Sequence, residues 1–240
     1  MLLPFAFKAF KQIPKEQRKF ILVSGLLGSF FPAFLFCIAE TKVTSTLAGI
    51  LNALTPLFTI SLGIIFYKMR VSRLQTIGVL IGFFGLCLLP FAAGKSIGFE
   101  NVSYSLYAVI ATIMYGINVN LVSHRLKQFP SIQIASLAFS FLLIPSLIIL
   151  VFTGYFSDVE NITSVSTLAS CVLGIGGTAI ATVLFYRLIK IAGTLIASLV
   201  TYGIPFVALF WGILDGEPVS IWEIGCLFII LSGVWLVNKK

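Results

Sequence analysis

Eight apolar stretches succeed one another at 20–39, 43–67, 72–92, 104–123, 132–153, 166–186, 194–214 and 219–237. Each is about 18 to 25 residues long, the length a tilted transmembrane helix needs to cross a hydrocarbon core. In lipid a chain segment must satisfy its own backbone N–H and C=O groups, which a helix does within one segment. Composition agrees: 59% of the residues are hydrophobic and 10% charged, whereas a soluble domain has roughly half and a quarter. The loops are short, so no soluble domain is expected. The fold class that follows is an all-α integral membrane protein with eight transmembrane helices.

The basic residues orient those helices. Lys8, Lys11, Lys15, Arg18 and Lys19 precede the first span; Lys68, Arg70 and Arg73, then Arg125 and Lys127, then Arg187 and Lys190, then Lys239 and Lys240 occupy alternate connections. Of the 16 basic residues only Lys42 and Lys95 fall on the other side, with Glu40, Glu100, Asp158, Glu160, Asp215 and Glu217. Lys and Arg mark the cytoplasmic loops. A multi-pass protein of the cytoplasmic (inner) membrane is expected, with both termini cytoplasmic. The net charge of +8 is then a topology signal, and no nucleic-acid partner is expected.

Cys37, Cys87, Cys171 and Cys226 all lie in apolar spans without CxxC or Cys/His spacing. They read as packed thiols, and neither a metal site, a disulfide framework nor a cofactor is expected. The opening MLLPFAF is too short to span and lacks a small-residue cleavage site. His124, the single histidine, stands beside Arg125 at a cytoplasmic helix end and reads as a solvated boundary residue. Asn101-Val102-Ser103 and Asn161-Ile162-Thr163 match the glycosylation sequon on the outer side.

One span is polar where it should be most apolar. Thr44 to Tyr67 carries Asn52, Thr55, Pro56 and Thr59 in mid-span. Proline removes an intrahelical bond, so neighbours or water must take up the freed carbonyl. Asn52, Thr55 and Thr59 share a face by their i, i+3, i+7 spacing. The design recurs 149 residues later, where Pro205 matches Pro56 and Thr201 matches Asn52. At that offset 25–64 aligns with 174–213 without a gap, pairing Gly25 with Gly174, Gly28 with Gly177, Ser29 with Thr178 and Gly63 with Gly212. Five spans separate the copies, so they lie in opposite orientations, the plan of secondary transporters. Spans four to eight make one five-helix unit, and spans one to three match only its last three helices. Met1 to Pro4 then reads as the end of a helix, and the chain as a start-truncated form of a ten-helix protein.

STLAGILNALTPLFTISLGIIFYKMRVSRLQTIGVLIGFFGLCLL and GTLIASLVTYGIPFVALFWGILDGEPVSIWEIGCLFIILSGVWLV each resemble the end of an EamA domain of the drug/metabolite transporter superfamily. The matching features are the small-residue start, the mid-helix proline, the Gly216-Glu217 pair and Gly78 or Gly225 of the closing helix. GIGGTAIATVLFYRLIK resembles the third helix of that domain. The resemblance implies two inverted five-helix repeats around a central cavity, here an incomplete 5+5 fold. Residues 1–92 would be the first EamA repeat, N-terminally incomplete with three helices, and 104–238 the second, with five. Lys68-Met69-Arg70 stands where the family usually has its Glu.

The expected substrate-cavity residues are Asn52, Thr55, Pro56 and Thr59 opposite Ser198, Thr201, Tyr202 and Pro205. Tyr107, Tyr115 and Asn118 of the fourth span, on one face with Met114, and Thr178 and Thr182 of the sixth join them. Polar groups in lipid face either a cavity or a neighbouring helix, so structural glue between helices is the competing reading. GIGGT at 174–178 does not fit GxGxxG and reads as close helix packing. Gly78-xxx-Gly82 is a packing face too, within the bundle or between two copies, which leaves a homodimer open. No Asp, Glu, Lys or Arg lies in mid-span, which argues against a strongly anionic substrate and against intramembrane catalysis. The expected function is secondary transport of a small neutral or zwitterionic metabolite outward by alternating access, with the substrate and the bilayer as partners and no enzymatic activity. The alternative is a truncated, transport-inactive membrane subunit.

Overall fold

The computed structural model describes residues 2–43, 45–92, 94, 102–153, 164–214 and 220–239, and among them every regular element is helical. Both sequons and Lys95, Glu100, Asp158, Glu160, Asp215, Gly216 and Glu217 fall wholly or partly outside the described residues. The helices are α1 (Leu3–Gln12), α2 (Lys15–Gly25), α3 (Phe31–Glu40), α4 (Ser45–Asn52), α5 (Thr55–Tyr67) and α6 (Arg73–Ala92). They continue with α7 (Val102–Arg125), α8 (Ser131–Phe152), α9 (Ser164–Val172), α10 (Ala181–Ala192), α11 (Thr194–Ser198), α12 (Ile204–Leu214) and α13 (Ile221–Asn238). Among the described residues, seven helical stretches are long and apolar enough to cross a membrane: Lys15–Glu40, Leu47–Tyr67, Arg73–Ala92, Ser103–Arg125, Ser131–Phe152, Val165–Ala192 and Ile221–Asn238. The eighth expected span, 194–214, is built from α11 and α12. A 3-10 turn at Leu199–Gly203, just before Pro205, interrupts it.

Two spans widen in mid-course. Leu26–Phe30 links α2 to α3 and Leu173–Ile180 links α9 to α10, each as π-helix. At the 149-residue offset, 26–30 becomes 175–179, inside the second widened turn. Pro32 has no N–H for the Gly28 carbonyl, which accounts for a register change in the first. Ala181 replaces Pro32 in the second, where Gly174, Gly176 and Gly177 lower the cost of leaving α geometry. This corrects the packing reading of GIGGT: a Cβ on Gly174 or Gly176 would meet nothing within 4 Å, and one on Gly177 only its own helix's Leu173. These glycines form a widened turn and make no close helix crossing.

The chain divides into two compact units. The first comprises residues 1–30 and 121–191. In it α8 supports α1 and α2, with a Cβ on Gly25 placed 3.2 Å from Ala138 Cβ and from Leu142 Cδ1. Ala6, Ala9, Ile13 and Ile21 are buried, as are Ile134, Ala135 and Ala138 of α8. The reading of Met1 to Pro4 as a helix end needs correction: the helix runs from Leu3 to Gln12, with Pro4 in its first turn, where a missing N–H breaks no bond. Arg18 closes its far end. Its Nη2 donates to Phe10 O at 2.6 Å and its Nε to Ile13 O at 3.0 Å, while the guanidinium stacks 3.8 Å from the Phe10 ring centroid. Deeper in this unit the Ser24 and Tyr186 hydroxyls, both buried, share a 3.0 Å hydrogen bond.

The second unit comprises 31–120 and 192–240, and its core is the pairing of α6 with α13. Gly78, Gly82, Gly85 and Gly233 let the two backbones meet. A Cβ on Gly78 would lie 2.6 Å from Gly233 O, and one on Gly233 2.5 Å from Gly78 O and from Gly82 N. Val79, Leu86, Tyr202, Ile230 and Val237 fill the surrounding space. The Gly78-xxx-Gly82 face is thus an intrachain packing face. Gly225, the residue matched to Gly78 in the closing helix, meets nothing within 4 Å; Gly233 makes the close contact in α13.

Candidate functional site

The Thr44–Tyr67 span breaks where its proline predicts. α4 stops at Asn52, a turn covers Ala53 and Leu54, and α5 restarts at Thr55 with Pro56 in its first turn. In a continuous helix the N–H at position 56 would bond the Asn52 carbonyl. Proline cannot, and Thr55 Oγ1 donates to Asn52 O instead, at 2.6 Å. The repeat-related break at Pro205 frees the Thr201 carbonyl in the same way. There the Ile204 N–H takes it, at the end of the 3-10 turn. Thr55 and Ile204 correspond in the repeat, so a hydroxyl and a tightened backbone turn solve one problem at one position.

The break leaves Asn52 half-buried, with its Oδ1 3.5 Å from Thr55 Oγ1. Among the described residues nothing in the chain accepts from its Nδ2. Thr59 lies one turn below Thr55 and is fully buried, and among the described residues its hydroxyl has no partner. α7 comes close at this level through Gly116, where a Cβ would meet Phe58 Cβ and Thr59 N at 3.1 Å. One turn along α7, the buried Asn120 donates from Nδ2 to Thr59 O at 3.0 Å and to Gly116 O at 2.9 Å. Asn120 was absent from the expected site, yet it ties α7 to the broken helix. A sequence signal existed: a glycine followed four residues later by an amide brings a helix close and then fastens it.

Tyr115, next to Gly116, stacks on Phe36 of α3 with ring centroids 6.1 Å apart and planes 21° from parallel. Asn118 is buried, and Tyr107 is exposed with its ring 6.0 Å from Tyr104. α5 and α7 therefore meet at Thr59, Gly116 and Asn120, with Tyr115 beside that contact; Asn52, Thr55 and Pro56 form the break one to two turns away along α5.

The residues of the second break sit differently. Ser198 is buried and donates to Leu195 O at 2.7 Å, and the half-buried Thr201 donates to Ser198 O at 3.0 Å. Tyr202 is 1% exposed. Its ring covers Gly82, and its hydroxyl donates to Val79 O at 2.8 Å. Tyr202 thus serves the α6–α13 core. Pro205 is half-buried. Thr178, in the second widened turn, and Thr182, one turn on, are half-buried in the first unit. Thr178 lines a cleft of about 290 Å³ there, with Phe139 and Leu143 of α8. Among the described residues no group of three His, Cys, Asp or Glu side chains is placed to hold a metal ion.

Known proteins agree with this architecture. The EamA-like transporter family matches residues 1–91 and again 102–239. A Bacillus subtilis (strain 168) protein named as the uncharacterized transporter YdfC is 25% identical over 222 residues, 91% of this chain and 68% of its own. An uncharacterized transporter of Archaeoglobus fulgidus is 23% identical over 234 residues, covering 96% of this chain and 79% of its own. One solved crystal structure shares the fold with a TM-score of 0.70 at 20% identity, over 95% of this chain and 77% of the other. A multi-pass helical bundle with paired mid-span breaks, matched over nearly its whole length, places the chain in the EamA-like transporter family, a family of membrane transporters.

Proposed function

We propose that the chain carries a small neutral or zwitterionic amphipathic metabolite outward across the cytoplasmic membrane by alternating access. The repeats 1–92 and 104–238 would rock about the broken helices, with both termini cytoplasmic. The observation that carries this reading is the mid-span break shared by both repeats, one of which leaves a half-buried Asn52 amide in the middle of its span. A polar group there without a protein partner is costly unless it meets water or a solute. The neutral character of the solute follows from the lack of Asp, Glu, Lys and Arg in mid-span. Its amphipathic character is supported by the Tyr115–Phe36 stack, next to Gly116 where α7 meets Phe58 and Thr59. The outward direction rests on family resemblance, and we read the chain as a carrier rather than an enzyme.

The test is flux into and out of vesicles reconstituted with the purified chain, screened against neutral and zwitterionic metabolites. Asn52→Leu combined with Thr201→Leu should abolish the flux while leaving the protein monodisperse. Unchanged flux in that double variant would place the path elsewhere. Absence of flux from the unaltered chain would favour the transport-inactive subunit.

A further inference from the structure

Several hydroxyls in the spans are used locally. Thr112 donates to Val109 O, Ser136 to Gln133 O, Ser140 to Ser136 O, and Ser232 to Ile229 O, all between 2.7 and 3.1 Å. Such bonds to the carbonyl three or four residues back are the ordinary resting place of Ser and Thr in a membrane helix. Ser29 and Thr178 depart from it, as do Thr59, Ser105, Ser123 and Thr182. Ser29 and Thr178 are each half-buried, and among the described residues neither hydroxyl has a hydrogen-bond partner in the chain. Both stand in the π-helical turns, and they are equivalent at the 149-residue offset. The geometry supplies the cause. In the second turn the Ala181 N–H reaches back five residues to Gly176 O. A turn of that width shifts the carbonyls that a hydroxyl would otherwise reach.

A hydroxyl in the hydrocarbon layer without a partner costs about 1–3 kcal/mol. One such position could be accidental. Two at equivalent places in the repeat, each in a backbone form that is rare in helices, call for a partner that the described residues do not supply. We infer that the paired π turns hold Ser29 and Thr178 open toward an aqueous path, as hydrogen-bonding positions for an uncharged polar group of the transported solute. A hydroxyl gives one donor and two acceptors, which suits amide, hydroxyl or carbonyl groups. The Thr178 position adds an apolar wall, Phe139, Leu143 and Ile175, along the 290 Å³ cleft, so the solute would pair a polar end with an apolar body. This deepens the transport reading and rests on it only in calling the path a transport path.

The experiment is thiol labelling in membrane vesicles, on a background in which Cys37, Cys87, Cys171 and Cys226 are replaced by Ala. Ser29→Cys and Thr178→Cys are treated with the charged reagent methanethiosulfonate ethylammonium, beside Phe34→Cys and Leu184→Cys, apolar positions exposed on the same two spans. Thiolate forms only where water reaches, so both test positions should react about tenfold or more faster than both controls. Equal rates overturn the inference, and fast labelling at one position alone overturns the pairing. Ser29→Ala combined with Thr178→Val should leave the melting temperature unchanged, since no chain bond is lost. A drop would show that the hydroxyls serve the fold and would also overturn the inference. Slow labelling in vesicles that do show flux sinks this inference alone, whereas fast labelling without flux sinks the transport reading and leaves the aqueous path.

Discussion

Substituting Gly233 tests the α6–α13 contact most directly. In Gly233→Ala the new Cβ would sit 2.5 Å from Gly78 O, 2.5 Å from Gly82 N and 2.9 Å from Gly82 Cα, where ordinary contact begins at 3.4 Å. All three obstacles are backbone, so no rotamer change relieves them, and the helices must part by about 0.9 Å. A gap of about 0.5–1 Å forfeits a quarter to a half of each dispersion contact. Between helices in lipid, dispersion is a main source of association. Overpacking of this kind costs about 1–3 kcal/mol, and the rigid obstacle puts Gly233→Ala near the upper end. Helix propensity returns roughly 0.8–1.0 kcal/mol, leaving a net loss of about 2 kcal/mol. For a chain of this length that lowers the melting temperature by about 4–8 °C. Gly225→Ala is the internal control: the same exchange in the same helix, with nothing within 4 Å of the new methyl. It keeps only the propensity gain and should melt at or slightly above the parent. The assay is the monodisperse fraction of detergent-solubilised protein after stepwise heating. If Gly233→Ala melts as high as Gly225→Ala, the close crossing of α6 and α13 is wrong.

Three further outcomes follow from the hydrogen bonds. Thr55→Val strips the donor from the Asn52 carbonyl and should lower stability by about 1–3 kcal/mol; Thr55→Ser should keep it, as thermal unfolding in detergent would show. Tyr202→Phe loses the 2.8 Å bond to Val79 O and should cost about 1 kcal/mol while leaving the KM for transport unchanged. A raised KM would return Tyr202 to the solute path. Arg18→Lys keeps the charge but cannot hold Phe10 O, Ile13 O and the Phe10 ring together. The α1–α2 corner should then open, seen as faster trypsin cleavage at Lys11 and Lys15 and faster amide exchange over 9–14.

The spans and their order are legible because their causes are local. Twenty apolar residues between basic clusters have few alternatives in a cell, and the span holding Pro205 also follows the pattern, running from α11 through the 3-10 turn into α12. The break at Pro56 is legible for the same reason. What escapes the sequence is whatever depends on which helix comes next to which. The spacing of Gly78 and Gly82 announces a packing face, yet it does not say that Gly233 and Tyr202 fill it. Tyr202 shares a helical face with Ser198 and Thr201, and only the proximity of Gly82 turns its ring into the core. Asn118 stood out because it continues the face of Tyr107 and Tyr115. Asn120, two residues on and directed elsewhere, makes the bond to Thr59. No residue type encodes a π turn, so the widening at 26–30 and 173–180 was invisible although the shared glycines pointed to the place.

The two broken helices show how far such repeats diverge while the backbone keeps its form. Each must hold a carbonyl that a proline has abandoned. In the first repeat Thr55 does it with a side chain, in the second Ile204 with its backbone in a 3-10 turn. The choice has a consequence beyond the helix. A hydroxyl cap lets the chain restart as an α-helix after a two-residue turn, and it leaves the Asn52 amide with an unused donor. The 3-10 turn draws Thr201 and Ser198 into backbone bonds and turns Tyr202 into the core. Two sites equivalent in sequence are therefore unequal in chemistry, with the available polarity concentrated at Asn52. Of the two breaks, the first then offers the proposed solute the polar contact. The second break contributes shape and the ability to bend, and the equivalence of the two copies is lost at the breaks.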